Sequence, residues 1–388
     1  MGGRSRASEI EGLGILDTAF PLEDVRQILR ETKRESRRKR KLPASTMVYY
    51  AIALGLMVSV GARQVLRHLL DHVREDEVAG GPLATGAAIT KARQRLGVEP
   101  LKELFERFVR PQAKKWLTSA WYGTWRVVSL DGSTMRVLDT DANERRFGRP
   151  TSKRGTTAYP QMKIVGLLEN GTRIMFGVAV GAYRTAENTL ARLVVPKLGK
   201  GMLCIADRGF FGYELWNQAV ATGADLLWRI KSTIKPGAME RLPDGSYLAR
   251  LRRGQAVRLI QFTLTFKSSG KREYYRLITT ILDYRKAPAT ELAMLYSKRW
   301  TIETMLGELK VRIGGKKIVL RSATPDLVEQ DVYGLLLAHF GIRYEMLAAA
   351  REEKCDPAEF SFLNALNVII RRLPEMVSFS PSAEAALP

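Results

Sequence analysis

The sequence predicts an α/β protein in which helices cover a mixed β-sheet, with a helical domain before the sheet and an all-β insertion within it. Residues 18 to about 118 carry apolar residues at helical spacing. From Trp125 onward the chain instead shows short apolar runs of the kind that form buried strands. Strand and helix runs then alternate, which favours a sheet with helices packed on it.

Size and charge limit the classes of function. The chain has 388 residues, of which 45% are hydrophobic, which is enough for two or three domains with cores. Its formal charge of +22 predicts a polyanionic partner. Nucleic acid is the favoured partner, and an anionic membrane surface or ribosomal RNA is the alternative. Cys204 and Cys355 are far apart in no CxxC pattern, so we expect reduced thiols and no zinc site.

No membrane segment is expected. The most apolar stretch, residues 47–62, is shorter than the 18 or more residues that a membrane span requires, and it predicts a buried helix. The polar N-terminus lacks the apolar core of a signal peptide. We therefore expect a cytoplasmic protein.

Residues 1–118 are predicted to form a helical DNA-binding domain. Pro21 opens a helix whose first turn contains Glu23 and Asp24. The basic block at residues 33–41 is interpreted either as a solvated linker or as an arm that contacts DNA. Residues 89–96 form a further basic helix.

The central part of the chain is predicted to form, in order, three strands, a helix, a strand, a helix and a strand. The predicted strands are residues 125–131, 159–168, 172–181, 202–207 and 225–230, and the helices are residues 186–198 and 212–221. Three adjacent strands followed by alternation resemble the ribonuclease H core. Residues 232–286 contain hairpin signals and predict the all-β insertion. The core is therefore divided into residues 119–231 and 287–350, and residues 351–388 form a C-terminal helix and tail.

One helix is predicted to carry the most informative group of side chains. Residues 295–312 show helical periodicity, and at about 100° per residue Tyr296, Arg299, Glu303 and Lys310 fall within roughly 60° of arc. This face offers a carboxylate between two cations and a phenol. Such a set suits metal-assisted chemistry on a phosphate backbone.

Three acidic residues predict a metal site. Asp131 and Asp207 each close a predicted strand, and the helix bearing Glu303 can pack across that sheet edge. Three close carboxylates repel one another, and two divalent cations relieve this repulsion. Oxygen ligands favour two Mg²⁺ ions, for which Mn²⁺ can substitute. In this hypothesis Asp131 bridges both ions, and Asp207 and Glu303 each hold one.

Each acid also has a purely structural interpretation. Asp131 followed by Gly132 is compatible with a turn. Asp207 can pair with Arg208, and Glu303 can form an i, i+4 helix bridge with Arg299. Their joint placement, two on strand ends and one on a helix, favours the catalytic interpretation.

These residues resemble a known family, the insertion-element-4 family of bacterial DDE transposases. The resemblance rests on Tyr296, Arg299, Glu303 and Lys310, on residues 131–133 and 207–211, and on residues 320–330 after the glutamate, and it covers roughly residues 10 to 375. It implies a ribonuclease H-like catalytic core, an association with the bacterial nucleoid, and cut-and-paste transposition by a protein dimer that bridges two transposon ends. It also implies that Asp131, Asp207 and Glu303 bind the metals, and that Tyr296, Arg299 and Lys310 grip terminal phosphates.

Other basic residues are predicted to bind double-stranded DNA. Basic side chains follow the first aspartate in a predicted loop, which is either solvated or a DNA track, and two lysines follow the glutamate helix. Trp300 either packs the helix or, as the resemblance implies, assists a base flip near the transposon end. The predicted contacts beyond the helix signature are Arg145, Arg146, Lys153, Arg154, Lys316, Lys317 and Trp300.

Two other functions fit parts of the pattern. A ribonuclease H-like nuclease would cut DNA without joining strands. A domesticated DNA-binding regulator would bind DNA without cutting it, and the loss of an acid would favour this reading. All three acids are present, so the leading hypothesis is a Mg²⁺-dependent DNA transposase.

Overall fold

The computed structural model describes residues 15–38, 41–70, 84–152, 155–265, 270, 272–309 and 319–373. Two compact units are present. The helical unit contains Met1–Gln112, Met135–Pro160 and Gly307–Pro388, and the sheet unit contains Ala113–Thr134 and Gln161–Leu306. The finer five-part division expected from the sequence stays a prediction.

The helices of the described residues are numbered in chain order. They are α1 (Ile15–Ala19), α2 (Leu22–Glu31), α3 (Ala44–Leu56), α4 (Ala62–Leu70), α5 (Gly86–Leu96), α6 (Glu99–Phe108), α7 (Asp141–Phe147), α8 (Glu187–Val194), α9 (Tyr213–Ala221), α10 (Ala289–Ser297), α11 (Trp300–Gly307), α12 (Pro325–Glu352) and α13 (Phe362–Arg372). None of these is long and apolar enough to cross a membrane.

The strands follow the same numbering. They are β1 (Trp121–Tyr122), β2 (Trp125–Val137), β3 (Thr151–Ser152), β4 (Gly155–Thr156), β5 (Gln161–Glu169), β6 (Ile174–Ala182), β7 (Met202–Ala206), β8 (Asp225–Arg229), β9 (Gly237–Arg241), β10 (Tyr247–Arg250), β11 (Ala256–Thr265), β12 (Arg272–Thr279) and β13 (Val319–Leu320).

The sheet has the mixed topology expected of a ribonuclease H-like core. Its strand order is β6-β5-β2-β7-β8-β12-β11-β10-β9. Strands β5 and β6 are antiparallel, whereas β2, β7 and β8 are parallel to one another. Helix α8 lies between β6 and β7 in the chain, and α9 lies between β7 and β8, which are crossover positions in such a sheet.

The all-β insertion is present and extends the main sheet instead of standing apart from it. Strand β12 pairs antiparallel with β8, and β11, β10 and β9 follow in order. Helix α10 then returns over these strands, where Leu292, Leu295 and Tyr296 enter a core that also contains Val127 and Leu277. The core of the sheet unit therefore supports the residues that precede the proposed glutamate.

In the helical unit, α3 is buried along most of its length, as its apolar sequence predicts. It crosses α12 so closely that a Cβ atom on Gly55 would lie 2.5 Å from the carbonyl oxygen of Gly334. This approach requires glycine at the crossing point. A side chain on either helix would push the backbones apart.

Three expectations about local structure were wrong. Asp131 does not close a strand, because β2 continues to Val137 and its end pairs with β13. Residues 295–312 do not form one helix, because the helix is interrupted at Lys298 and Arg299, between the end of α10 and the start of α11. We call this interruption the break between α10 and α11. Arg145 and Arg146 lie on α7 and not in a loop, because Thr140 caps that helix by accepting a hydrogen bond from the Asn143 amide.

Candidate active site

Two aspartates occupy equivalent positions on neighbouring parallel strands. Strands β2 and β7 pair in register up to Leu130 and Ala206. Asp131 and Asp207 are the next residue of each chain segment. Neighbouring strands lie about 4.8 Å apart, so the two aspartates leave the paired region side by side. The carboxyl ends of parallel strands are where sites form in such sheets.

A guanidinium joins the first aspartate to the glutamate of α11. Arg299 Nη1 lies 3.2 Å from Asp131 Oδ2, and Nη2 lies 3.4 Å from Glu303 Oε1. Arg299 is 9% exposed, so its guanidinium is largely shielded from solvent, whereas the Glu303 side chain is 48% exposed. The side chains of Asp131 and Glu303 are therefore brought to one cation, from a strand and a helix 172 residues apart in the chain.

The second aspartate is held by a phenol and approached by another arginine. The Tyr296 hydroxyl donates to Asp207 Oδ1 at 3.2 Å. Arg229, the last residue of β8, has its Nη1 atom 3.9 Å from the same oxygen. Burial is the main cause that raises the pKa of Tyr296, and the Asp207 charge adds to it, so the phenol keeps its proton and acts as a donor.

Asp131 experiences the combined negative charge of the cluster. Burial is the largest cause that raises its pKa, which reaches about 6. The hydrogen bond from the Gly132 amide and the charge of Arg299 oppose this rise, whereas the carboxylates of Glu303 and Asp207 reinforce it. The three acids therefore interact electrostatically, and positive charge at the cluster stabilises them.

Gly132 allows α8 to pack closely on β2 beside the first aspartate. It lies within β2, so it does not form the turn that an Asp-Gly pair can indicate. A Cβ atom at this position would lie 3.2 Å from both the carboxyl carbon and Oε1 of Glu187, the first residue of α8. The missing side chain lets α8 approach the strand that bears Asp131.

Family comparisons identify the class of this site. A family model described as the transposase DDE domain matches residues 123–340, and one described as the N-terminal region of insertion element 4 transposases matches residues 10–106. The chain belongs to the insertion-element-4 family of DDE transposases. It is therefore a DNA-binding enzyme of DNA transposition.

Two sequence relatives from Escherichia coli agree with this assignment. The chain is 28% identical to the transposase InsG of insertion sequence element IS4 from Escherichia coli K12, over 92% of this chain and 82% of the relative. It is 25% identical to the putative transposase InsZ of the same strain, over 54% of this chain and 68% of the relative. A solved piggyBac transposase synaptic complex with hairpin DNA covers 96% of this chain and 81% of its own, with 11% identity and a TM-score of 0.47.

DDE domains generally use divalent metal ions, and the chemistry of this candidate site fits such an ion. Its candidate donors are carboxylate oxygens, which hard divalent cations prefer. Burial is the main cause of the raised pKa of Asp131, and the carboxylates of Glu303 and Asp207 add to it, so the three negative charges repel one another. Within the described part of the chain, no three acidic, histidine or cysteine side chains are spaced to hold an ion together. The Arg299 guanidinium supplies the positive charge between Asp131 and Glu303 in this arrangement.

The remaining predicted DNA contacts lie elsewhere or outside the described residues. Arg145 and Arg146 are exposed on α7 in the helical unit, where Arg146 lies 3.5 Å from Glu329. Trp300 begins α11, but its side chain lies outside what the structure describes. The other predicted contacts fall outside the described ranges, namely Lys153, Arg154, Lys310, Lys316 and Lys317.

Sequence reasoning missed Arg229. Its guanidinium carbon lies 3.8 Å from the centroid of the Tyr275 ring, and Nη2 lies 3.7 Å from Glu273 Oε2. Strand β12 supplies both partners and so fixes the arginine beside Asp207. The sequence does show an arginine at the end of the predicted strand that follows the Asp207 strand in the chain. The pairing of β8 with the insertion, which holds it there, was not readable from the sequence.

Proposed function

We propose that this transposase carries out cut-and-paste transposition. Water attacks the phosphodiester at each transposon end, and the freed 3′-hydroxyl then attacks target DNA. The observation that supports this most strongly is the link from Asp131 through Arg299 to Glu303, with Asp207 held nearby by Tyr296. This set of side chains matches what both reactions require, namely charge stabilisation around one phosphorus centre.

The roles of the acids follow from their chemistry. Asp131, Asp207 and Glu303 are proposed to hold two Mg²⁺ ions, or Mn²⁺ in their place. When bound, these ions activate the attacking oxygen and stabilise the leaving oxygen of an in-line displacement. Hydrogen bonds orient two of these carboxylates, since the Gly132 amide donates to Asp131 and the Tyr296 hydroxyl donates to Asp207.

Positive groups beside the acids are proposed to hold phosphates. Arg299, which contacts both Asp131 and Glu303, would contact a phosphate of the transposon end once DNA is bound. Arg229 is already oriented by its stack on Tyr275 and adds a second cation near Asp207. Lys310 is also proposed to bind a phosphate of the transposon end, on the basis of the helix signature in the sequence. Such contacts set affinity and register rather than sequence preference.

The assembly is proposed to be a homodimer that bridges two transposon ends. In this proposal residues 1–118 bind the ends as a helical domain, and the exposed Arg145 and Arg146 extend the basic surface of the helical unit. The formal charge of +22 provides the long-range attraction for DNA that this assembly requires.

A strand-transfer assay tests the proposal. The purified protein is incubated with Mg²⁺, a pre-cleaved transposon end labelled beside its 3′-hydroxyl, and supercoiled target plasmid. The proposal expects the label to become covalently joined to the plasmid. Cleavage of an uncut end without joining would instead identify a nuclease. Metal-independent binding without either reaction would identify a DNA-binding regulator.

A further inference from the structure

The break between α10 and α11 has a defined hydrogen-bond pattern. The Lys298 carbonyl accepts from the Thr301 amide at 3.0 Å, and the Arg299 carbonyl accepts from the Ile302 amide at 3.1 Å. These bonds span three residues instead of the four of an α-helix. Each residue in such a turn advances about 120° instead of about 100°. The tighter turn therefore sets the direction in which Arg299 and Glu303 point.

A buried amide from another part of the sheet unit holds this break. Asn170 lies between β5 and β6 and is 5% exposed. Its Nδ2 atom donates to the Lys298 carbonyl at 3.0 Å, and its own backbone amide donates to the Val127 carbonyl at 3.1 Å. The Lys298 carbonyl thus has a second donor, supplied by a side chain whose backbone is anchored to β2.

The orientation of this amide is fixed by the strand that carries the first aspartate. The Ser129 hydroxyl donates to Asn170 Oδ1 at 2.9 Å, and Ser129 is fully buried. Because a backbone carbonyl only accepts, Nδ2 must face Lys298 and Oδ1 must face Ser129. Ser129 stands two residues before Asp131 on β2. A continuous chain of hydrogen bonds therefore runs from the Asp131 strand to the break before Arg299.

We propose that Asn170 is a positioning residue of the active site, which fixes the break between α10 and α11 and thereby presents Arg299 and Glu303 to Asp131. The inference rests on the proposed function of these three residues. Asn170 touches neither DNA nor the reacting atoms in this account. It acts through the Lys298 carbonyl, and Ser129 acts through Asn170.

The proposal differs from a general contribution to stability. Without the Asn170 amide, the Lys298 carbonyl keeps its bond from Thr301 but loses the contact that ties the break to β2. The tight turn can then relax toward a regular helix, which turns Glu303 away from its present direction. Catalytic geometry is sensitive to displacements of about 1 Å, so the rate of chemistry should fall more than stability or DNA affinity.

Three single variants of the full-length protein, and the double variant of Asn170→Ala with Ser129→Ala, test this. Asn170→Ala removes the amide, and Ser129→Ala removes only the group that orients it. Asn143→Ala is the matched control, because Asn143 is also fully buried and donates to two carbonyls, those of Leu138 and Ser322, in the helical unit. For each variant we measure thermal unfolding, affinity for transposon-end DNA, single-turnover cleavage at saturating DNA with Mg²⁺, and amide hydrogen exchange.

The expected result for Asn170→Ala is a fall in the single-turnover rate on the order of 10- to 100-fold with nearly unchanged DNA affinity. Exchange should accelerate at Thr301 and Ile302 but not across β2 and β7. Ser129→Ala should also lower the single-turnover rate and accelerate exchange at Thr301 and Ile302, but by less than Asn170→Ala does. The double variant should cleave no more slowly than Asn170→Ala, because Ser129 acts through Asn170. Asn143→Ala should lower the melting temperature without slowing cleavage.

Other results would overturn the proposal. One is a rate loss for Asn170→Ala no greater than that of Asn143→Ala at a similar fall in melting temperature. Another is unchanged exchange at Thr301 and Ile302. If Asn170→Ala does not fold, Ser129→Ala decides, and an unaltered rate there refutes the role of Asn170. A wild-type protein that never cleaves DNA contradicts the proposed function instead. In that case hydrogen exchange at Thr301 and Ile302 still tests whether Asn170 holds the break between α10 and α11.

Discussion

Arg299 Nη1 lies 3.2 Å from Asp131 Oδ2, and this contact places a buried cation beside the aspartate of the central strand. The same guanidinium reaches Glu303 through Nη2. Arg299 therefore places positive charge beside both carboxylates. In our account Arg299 gives up these contacts for a phosphate of the transposon end when DNA binds, and Asp131 and Glu303 would then be available to hold a divalent ion.

Arg229 is expected to contact a DNA phosphate. Arg229→Gln should weaken binding of transposon ends and reduce the slope of log affinity against log salt by about one unit. The reason is that its guanidinium is fixed beside Asp207 by Tyr275 and Glu273. Fluorescence titrations at several salt concentrations measure the slope. Arg371→Gln, an exposed change of equal charge on α13, is the control. Identical slopes for both variants would remove Arg229 from the binding surface.

Lys310 carries a prediction made from sequence alone. Lys310→Ala should weaken end binding and flatten its salt dependence by about one phosphate contact, because the helix signature assigns it to the terminal phosphates. The same titrations measure this, with Arg371→Ala as the charge-matched reference. A salt slope equal to that of the wild type would mean that Lys310 does not touch the DNA backbone.

The crossing of α3 and α12 predicts a stability effect unrelated to catalysis. Gly55→Ala should reduce the free energy of unfolding by about 1–3 kcal/mol, because the added Cβ meets backbone that cannot move aside cheaply. Urea denaturation followed by circular dichroism measures the change. Gly86→Ala on α5 is the control, since a Cβ there meets nothing within 4 Å. If Gly55→Ala is no less stable than Gly86→Ala, the helices do not cross this closely.

A buried acid predicts the pH dependence of stability in the helical unit. Burial alone would raise the pKa of Glu308, but the hydrogen bond with His339 and the charge of Arg343 outweigh it and lower the pKa to about 2. A carboxyl whose folded pKa lies below its unfolded value of 4.5 stabilises the fold above pH 4.5. That stabilisation is lost as the pH falls from 4.5 towards 2.

Glu308→Gln should therefore unfold more easily than the wild type at neutral pH, by about 3–5 kcal/mol, because it removes the negative charge that pairs with the buried Arg343. The difference between the two proteins should shrink as the pH falls from 4.5 to 2. Thermal unfolding at a series of pH values measures it. Glu353→Gln, an exposed change on the segment after α12, should show no such pH-dependent difference. A Glu308→Gln effect that stayed constant down to pH 2 would contradict the lowered pKa.

Local patterns predicted most of the fold. Apolar runs such as residues 202–206 identified buried strands, and the order of strands and helices indicated the mixed sheet. The acids Asp131 and Asp207 were found because each follows a run of this kind.

The errors arose where long-range contacts decide local structure. Helical periodicity continues through Lys298, and no residue there signals a stop. The break depends on Asn170, which lies 128 residues earlier in the chain. Likewise β2 continues past Asp131 because a distant strand, β13, pairs with its end. The role of Arg229 depends on β12 pairing with β8, which a one-dimensional pattern does not specify.

The central claim is that Asp131, Asp207 and Glu303 act together on one phosphodiester. Its most direct test is Glu303→Gln, which keeps the shape of the side chain and removes its charge. End-DNA affinity and the melting temperature should stay close to those of the wild type, whereas cleavage of a labelled transposon end in Mg²⁺ should be abolished. Wild-type cleavage by Glu303→Gln in Mg²⁺ would show that this carboxylate is not part of the catalytic site.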